Sequence, residues 1–173
     1  MVHNCDLLRV PRGSTQPENG LMNSTRVHRC LEPGLSILVG TVDVQGTPSC
    51  CRAVAIRSED ELETVTVYLP IATSHQIIQN IATTGRLAIA AAHPMEHCAT
   101  QLKGMTIETR LAREDEASFV RGRLDAFADV LDSIGVPKDL TRAVAHWPAF
   151  AVSMRVEQVF EQTPGPNAGS RLR

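Results

Sequence analysis

The chain has 173 residues, 43% of them hydrophobic and 21% charged, with a formal net charge of −2. This length suits a single domain that buries its own core, and the charge excludes the strong basic field that would attract nucleic acid or an anionic membrane. No apolar run approaches the ~20 residues of a membrane-spanning helix. Aromatic residues, at 3%, are too few for binding nucleic acid by base stacking.

The first part of the chain and its cysteines indicate a cellular compartment. The first 25 residues lack the apolar core of a signal peptide, and the Pro, Gly, Ser and Asn within 1–24 predict a flexible extension. The five cysteines show no C-x-x-C spacing, which is typical of free thiols in a reducing compartment. We therefore expect a cytoplasmic protein.

Residues 25–161 show the pattern of one mainly β domain, and the Pro- and Gly-rich residues 162–173 predict a C-terminal tail. Six runs rich in β-branched or alternating residues predict strands: 37–44, 48–57, 63–69, 87–92, 98–113 and 150–160. The first two flank Gln45-Gly46 and predict a hairpin. The run 87–92 is continuously apolar, which is typical of a strand buried on both faces.

Three segments have helical spacing: 73–83, 114–134 and 139–146. Thr73 or Ser74 is the expected N-cap of the first helix, and Gly85 ends it. Across the strand predicted at 48–57, two-residue spacing places Arg52 on the same face as Cys50, Val54 and Ile56. We expect this face to point inward, where a charge needs a partner.

The order of these elements resembles the pyridoxamine 5′-phosphate oxidase-like family of FMN-binding split β-barrels. The carrying residues are Gly40-Thr41-Val42-Asp43, Gln45-Gly46, Pro48, Arg52-Ala53-Val54-Ala55-Ile56-Arg57, Tyr68, Thr73-Ser74-His75, Pro94-Met95-Glu96-His97 and Gln101-Leu102-Lys103-Gly104. The resemblance covers roughly 25–161. It implies a six-stranded, mainly antiparallel split barrel with peripheral helices, of α+β class, and a homodimer with the cofactor site at the subunit interface.

The resemblance also implies where FMN would bind. An arginine of the second strand and a Ser-Arg-Lys run before the first helix hold the phosphate in the family. Arg52 matches that arginine, and the positions of the Ser-Arg-Lys run are occupied by Thr73, Ser74 and His75. This chain keeps a hydroxyl there but loses the arginine, and His75 replaces lysine. The plain alternative is that Thr73 only caps the helix and that His75 is solvated.

The resemblance places the flavin ring against further residues of the chain. These residues are main-chain atoms around Ala53, Val54, Tyr68 and Leu69, the polar side chains of Gln101 and Lys103, and the indole of Trp147 from the second subunit. A cation or amide near the N1–C2 carbonyl would stabilise the charge of a reduced flavin. An exposed strand face for Gln101 and Lys103, and ordinary packing for Trp147, are the alternatives.

The resulting hypothesis is an FMN-dependent oxidoreductase that acts on an unknown small molecule, without an identified catalytic residue. Two alternatives stay open: a member that binds haem or a deazaflavin cofactor, and a structural homodimer without a cofactor. Pyridoxamine-phosphate oxidase activity itself is not expected, because the chain ends in PGPNAGSRLR rather than an arginine-rich segment. No metal site is expected at His93 and His97, since Pro94 disfavours the helix that would bring them together.

Overall fold

A computed structural model describes residues 31–58, 60 and 62–173. The extension predicted at 1–24 and residues 25–30 of the predicted domain lie outside this part of the chain. The strands of the described part are β1 Ser36–Val42, β2 Pro48–Ala53, β3 Ala55–Ser58, β4 Thr64–Pro70, β5 Arg86–Ala92, β6 Ala99–Leu111 and β7 Ala149–Glu161. Its helices are α1 His75–Thr84, α2 Ala117–Asp132 and α3 Lys138–Arg142, with 3-10 turns at Ile71–Thr73 and Glu114–Glu116.

The strands form one antiparallel sheet in the order β2-β1-β5-β6-β7-β4-β3. Its two outermost strands, β2 and β3, follow each other in the chain with only Val54 between them, so the sheet curls back on itself. This confirms the antiparallel split barrel with peripheral helices. The sheet has seven strands rather than six, because the strand predicted at 48–57 is broken at Val54.

The break at Val54 marks a change of partner. Residues before it pair with β1, residues after it pair with β4, and the Val54 N–H donates to the Tyr68 carbonyl at 3.0 Å. The bend also reverses which side chains point inward, since Cys51 and Ala53 are buried before it and Ile56 after it. The expected inward orientation of Arg52 is therefore wrong, and its side chain is exposed.

The core lies inside the barrel. Its largest buried side chains include Ile56, Leu69, Ile89, Leu102 and Met154, all less than 2% exposed. Helix α1 packs against β1, β2 and β5, and adds Ile77 and Ile81 to the same core. Gly85 ends this helix as predicted, with φ +66 and its N–H bonded to the Ile81 carbonyl at 2.9 Å.

Helix α2 covers part of the outer surface. Val120 packs there against Val54, Ala55, Tyr68 and Ala151, which form a second apolar cluster. The outer surface of β2, β1, β5, β6 and β7 is not covered by a described helix. We call this surface the open face; its paired rows are Arg52, Leu38, Ala90, Gln101 and Phe160, then Cys50, Gly40, Ala88, Lys103 and Gln158.

The open face corrects one expectation about β5. Leu87, Ile89 and Ala91 are buried, whereas Ala88 and Ala90 on the other side are only half-buried. The run 87–92 is therefore buried on one face of the isolated chain rather than on both, and alanine at the remaining positions leaves the open face shallow.

The C-terminal residues complete one edge of β7. Beyond the end of its pairing with β4, the Leu172 N–H donates to the Val159 carbonyl at 2.8 Å, and the Gly169 N–H donates to the Glu161 carbonyl at 2.7 Å. The Leu172 side chain packs against the barrel core. Residues 169–173 of the predicted tail thus lie along the barrel.

Candidate functional site

Arg52 lies at the edge of the open face, where β2 meets helix α2. Its guanidinium stacks over the Phe127 ring, 4.8 Å from the centroid. Among the described residues, no ion pair or hydrogen bond involves its side chain. An arginine that packs against an aromatic ring, and whose guanidinium N–H groups make no other hydrogen bond, is suited to bind a phosphate or carboxylate.

The contact between Arg52 and Phe127 belongs to a longer series along α2. Phe119 lies two helical turns before Phe127. The centroid of its ring is 6.0 Å from the Arg57 guanidinium and 5.1 Å from the Arg123 guanidinium. Burial lowers the pKa of Arg123, and its Nη1 is buried without a partner among the described residues. We call these five residues the arginine–phenylalanine seam.

A small cavity lies within this seam. It is lined by Leu35, Arg52, Ala53, Val54, Leu124, Phe127, Thr141 and Val144, and its volume is about 20 Å³. That volume holds about one water molecule, whereas small-molecule pockets typically measure about 300–1,000 Å³. The predicted ring-binding positions Ala53 and Val54 therefore face a cavity that is nearly closed.

Buried Glu116 anchors one end of the seam. Its carboxylate, 3% exposed, accepts hydrogen bonds from Arg57 Nη2 at 2.9 Å, from the Tyr68 hydroxyl at 2.8 Å, and from Arg110 Nη1 and Nη2 at 2.7 and 2.8 Å. The Arg113 N–H donates to it as well, at 2.7 Å. We call Glu116, Arg57, Tyr68 and Arg110 the Glu116 cluster.

The Glu116 cluster shifts the pKa of two of its members. The hydrogen bonds from Arg110, together with those from the Arg113 N–H and the Tyr68 hydroxyl, hold the pKa of Glu116 well below its ordinary value, although burial opposes this. Burial, with the hydrogen bond to Glu116, raises the pKa of Tyr68 to about 12. Glu116 is therefore ionised and Tyr68 neutral across the physiological range, and both fix the position of Arg57.

The predicted phosphate-binding run lies between β4 and α1. Thr73 and His75 are exposed, and the His75 ring bonds to the Gln79 side chain at 2.9 Å. Ser74 is fully buried at the N-cap position, but its hydroxyl donates to the Pro70 carbonyl at 2.7 Å and does not cap the helix. The run therefore presents Thr73, His75 and the first N–H groups of α1 to a ligand.

Gln101 and Lys103 share the open face, as their spacing predicts. Lys103 is exposed over the Phe160 ring, 4.7 Å from the centroid, without an acidic partner among the described residues. A shallow depression of about 850 Å³ extends beside it, floored by Gly40 and Ala88. In one chain, three strand spacings separate Arg52 from Gln101, or about 14 Å.

The remaining predicted positions lie inside the protein. Tyr68 and Leu69 are both 0% exposed, so only their main-chain atoms could face a ligand, which is the role predicted for them. Trp147 is half-buried against the cluster that contains Val54 and Tyr68. The structure thus places Ala53, Val54, Tyr68 and Trp147 around one corner of the barrel.

The structure adds residues that the sequence analysis did not assign to the site. Arg123 and the two phenylalanines of α2 recur at four-residue spacing, which is a signal that the sequence contains. Glu116 had no such signal, because it stands in an acidic run that resembles a solvated helix start. Its burial results from arginine and tyrosine side chains that β3, β4 and β6 bring together.

Two further classes of site find no support in the described part of the chain. No three His, Cys, Asp or Glu side chains there lie close enough to hold a metal ion. Cys50, Cys51 and Cys98 are free thiols, and burial raises the pKa of Cys51 to about 11, which makes it unreactive.

None of the helices described is long and apolar enough to cross a membrane.

Solved structures share this architecture at low sequence identity. An FMN-binding protein from Syntrophomonas wolfei is 7% identical, with a TM-score of 0.51 over 82% of this chain and 89% of its own. An F420 reductase is 14% identical, with a TM-score of 0.50 over 76% of this chain and 94% of its own. A Clostridium acetobutylicum protein of the pyridoxinephosphate oxidase family, related to general stress protein 26, is 12% identical, with a TM-score of 0.48 over 86% and 92%.

Comparisons of the sequence itself find no counterpart. No protein-family model matches the chain, and no curated protein matches it. At these identities the structural likeness concerns the fold. The chain therefore shares the split β-barrel fold with the FMN-binding protein and the F420 reductase, and this likeness concerns the fold alone.

Proposed function

We propose that the chain binds FMN and acts as a flavin-dependent oxidoreductase on a small molecule. Arg52 carries this proposal. Its guanidinium is stacked on Phe127, has no partner among the described residues, and stands at the cavity lined by Ala53 and Val54. The FMN phosphate has a charge near −2, and a planar, preorganised arginine binds such a group with two parallel hydrogen bonds.

The start of α1 offers further donors at the positions where the family pattern has its phosphate-binding run. The first N–H groups of a helix attract anions, and the exposed Thr73 hydroxyl can donate a further hydrogen bond. Ser74 is not included, because its hydroxyl is committed to the Pro70 carbonyl. His75 is exposed, and its ring, which bonds to Gln79, can offer a further hydrogen bond.

The position of Gln101 and Lys103 supports the proposal of a homodimer. They lie on the open face, whereas Ala53 and Val54 line the cavity beside α2. A bound small molecule is usually buried over most of its surface, which a shallow face cannot do alone. We propose that a second copy covers the open face, so that the Gln101 and Lys103 of one copy reach the flavin held by the other.

The protein's residues would then have distinct roles. FMN, when bound, supplies hydride or electron transfer. Arg52 anchors the phosphate, and the main chain at Val54 and Tyr68 orients the ring. Lys103, which has no acidic partner among the described residues, stabilises negative charge at the ring edge. Trp147 excludes water from the corner of the barrel that it packs against.

A second candidate is a cofactor other than FMN, such as haem or a deazaflavin. The observation that favours it is Ser74, whose buried hydroxyl is withdrawn from the predicted phosphate run. This leaves a weaker phosphate site than the family pattern implies. In this reading Arg52 would bind an acidic group of the other cofactor.

The visible absorption spectrum of the purified protein separates these candidates. We expect the bands of oxidised flavin, release of FMN on denaturation, and a dimer by light scattering at micromolar concentration. Either a Soret band, which indicates haem, or a deazaflavin spectrum would support the second candidate. A colourless protein that takes up no added FMN refutes the proposed function, and a monomer with bound cofactor refutes the shared site.

A further inference from the structure

We propose that residues 137–146, which contain α3, form a gate over the cavity in the arginine–phenylalanine seam, and that a flavin reaches Ala53 and Val54 only when this gate opens. This inference rests on the proposed function for the identity of the ligand. The opening itself is a property of the protein alone and can be measured without any cofactor.

The first argument is the size of the cavity. Thr141 and Val144 of the gate line the cavity together with Arg52, Ala53 and Val54 of the barrel. The enclosed volume is about 20 Å³. A flavin ring needs a pocket of at least about 300 Å³, so it cannot occupy this space while the gate is in place. Displacing the gate removes a wall of the cavity without disturbing the barrel.

The second argument is how the gate is attached. Its backbone hydrogen bonds join residues of the same segment. The N–H groups of Leu140, Ala143 and Val144 donate to the carbonyls of Pro137, Asp139 and Thr141 at 3.0, 3.0 and 3.2 Å. None of the described hydrogen bonds of its main chain reaches a strand of the barrel. The gate can therefore move away without breaking the sheet.

Side chains provide the remaining attachment. Lys138 Nζ lies 2.7 Å from Asp129 Oδ1 and 4.0 Å from Asp132 Oδ2, and Arg142 Nε lies 2.8 Å from Asp125 Oδ1, so three ion pairs join the gate to α2. All five side chains are between 38% and 60% exposed. Ion pairs this exposed are weak and are screened by salt.

The apolar content of the gate is also small. Leu140 is 65% exposed and Val144 41% exposed, so little apolar surface holds the gate down. The segment follows Gly135, whose φ of +93 permits a sharp turn after α2. Segments with few buried apolar contacts open at low cost, and lids over ligand sites belong to this class.

The test removes the two shorter ion pairs in Asp125→Asn/Asp129→Asn and leaves Asp132, which lies 4.0 Å from Lys138, in place. The control, Glu114→Gln/Asp115→Asn, makes the same change of net charge before α2 at exposed side chains away from the gate. Without ligand, hydrogen exchange is followed at the amides of Ala143 and Val144, because a helix this short does not persist once detached. Acrylamide quenching of Trp147, the only tryptophan, reports access to the uncovered corner.

We expect exchange of these amides to be about 3- to 10-fold faster in the double variant, as the loss of two exposed pairs predicts. Trp147 should be quenched more strongly, and FMN should associate faster by the same factor in stopped-flow measurements. The control should match the parent throughout.

Unchanged exchange and quenching in the double variant would overturn the proposal whether or not FMN binds. Faster exchange with an unchanged FMN association rate would also overturn it, because the segment would then move without controlling entry. If the parent binds no FMN, the proposed function fails. Faster exchange together with stronger quenching would then still support a gate over the cavity.

Discussion

Substitution of Glu116 by glutamine tests whether the Glu116 cluster stabilises the barrel. The change keeps the size of the side chain but removes its charge and replaces one acceptor oxygen by an NH₂ group. The carboxylate accepts five hydrogen bonds, four of them from side chains of Arg57, Tyr68 and Arg110. The variant therefore leaves two guanidinium groups facing a neutral amide.

The structure sets the size of the expected effect. Removing one partner of a buried ion pair costs about 3–5 kcal/mol. Arg57 and Arg110 keep 28% and 24% of their side-chain surface exposed, so water can solvate them in part after the substitution. We therefore expect the free energy of unfolding to fall by about 3 kcal/mol, at the low end of that range.

The pH dependence gives an independent check. The pKa of Glu116 in the folded protein is lowered, so its stabilisation is complete above the ordinary glutamate pKa of about 4.3 and is lost as pH falls toward the folded-state value. Glutamine does not titrate. The difference in unfolding free energy between parent and variant should therefore narrow below about pH 4.

Urea denaturation from about pH 7 down to about pH 3 measures both effects. The matched control is Glu108→Gln, because Glu108 is 59% exposed and lies 3.8 Å from the Nε of the same Arg110. It should lose less than about 1 kcal/mol. A loss for Glu116→Gln no larger than that of the control, or a difference that stays constant on acidification, would refute the reasoning.

Three further predictions concern single residues. Arg52→Ala should weaken FMN binding by about 1.5–3 kcal/mol in a fluorescence titration, and Arg121→Ala should not; equal affinities would exclude Arg52 as the anchor. Tyr68, the only tyrosine, should ionise at about pH 12 when folded. After unfolding, its absorbance should show ionisation near pH 10. A pKa of about 10 in the folded protein as well would contradict the hydrogen bond between Tyr68 and Glu116. His75→Lys, which places a lysine ammonium at the start of α1, should strengthen FMN binding in the same fluorescence titration, and unchanged affinity would remove His75 from the site.

The pattern of strands could be predicted because one face of each strand is buried. Two-residue alternation placed the strands 63–69 and 150–160 close to β4 and β7. The helix expected at 73–83 corresponds to α1, and Gly85 ends it as predicted. These features depend on residues close together in the chain, which explains why the sequence analysis located them.

The candidate site was only partly predictable. Arg52 was selected for its position in the motif, but its orientation was wrong, because the bend at Val54 reverses the alternation midway through the predicted strand. Ser74 was expected to cap α1 or bind phosphate, and its hydroxyl instead bonds to Pro70. In both cases a partner elsewhere in the fold decides what the side chain does.

The sequence by itself therefore determined most strands and helices and their order, since hydrophobic periodicity and turn residues are local properties, while the antiparallel barrel was implied by the family resemblance that this order carries. Only the tertiary structure decided that Val54 divides a strand between two partners, that Glu116 is buried among arginines, and that Thr141 of α3 lines the cavity beside Arg52. Each of these depends on contacts between residues far apart in the chain. The periodicity of a single strand or helix shows which face is buried but does not specify which other elements pack against it.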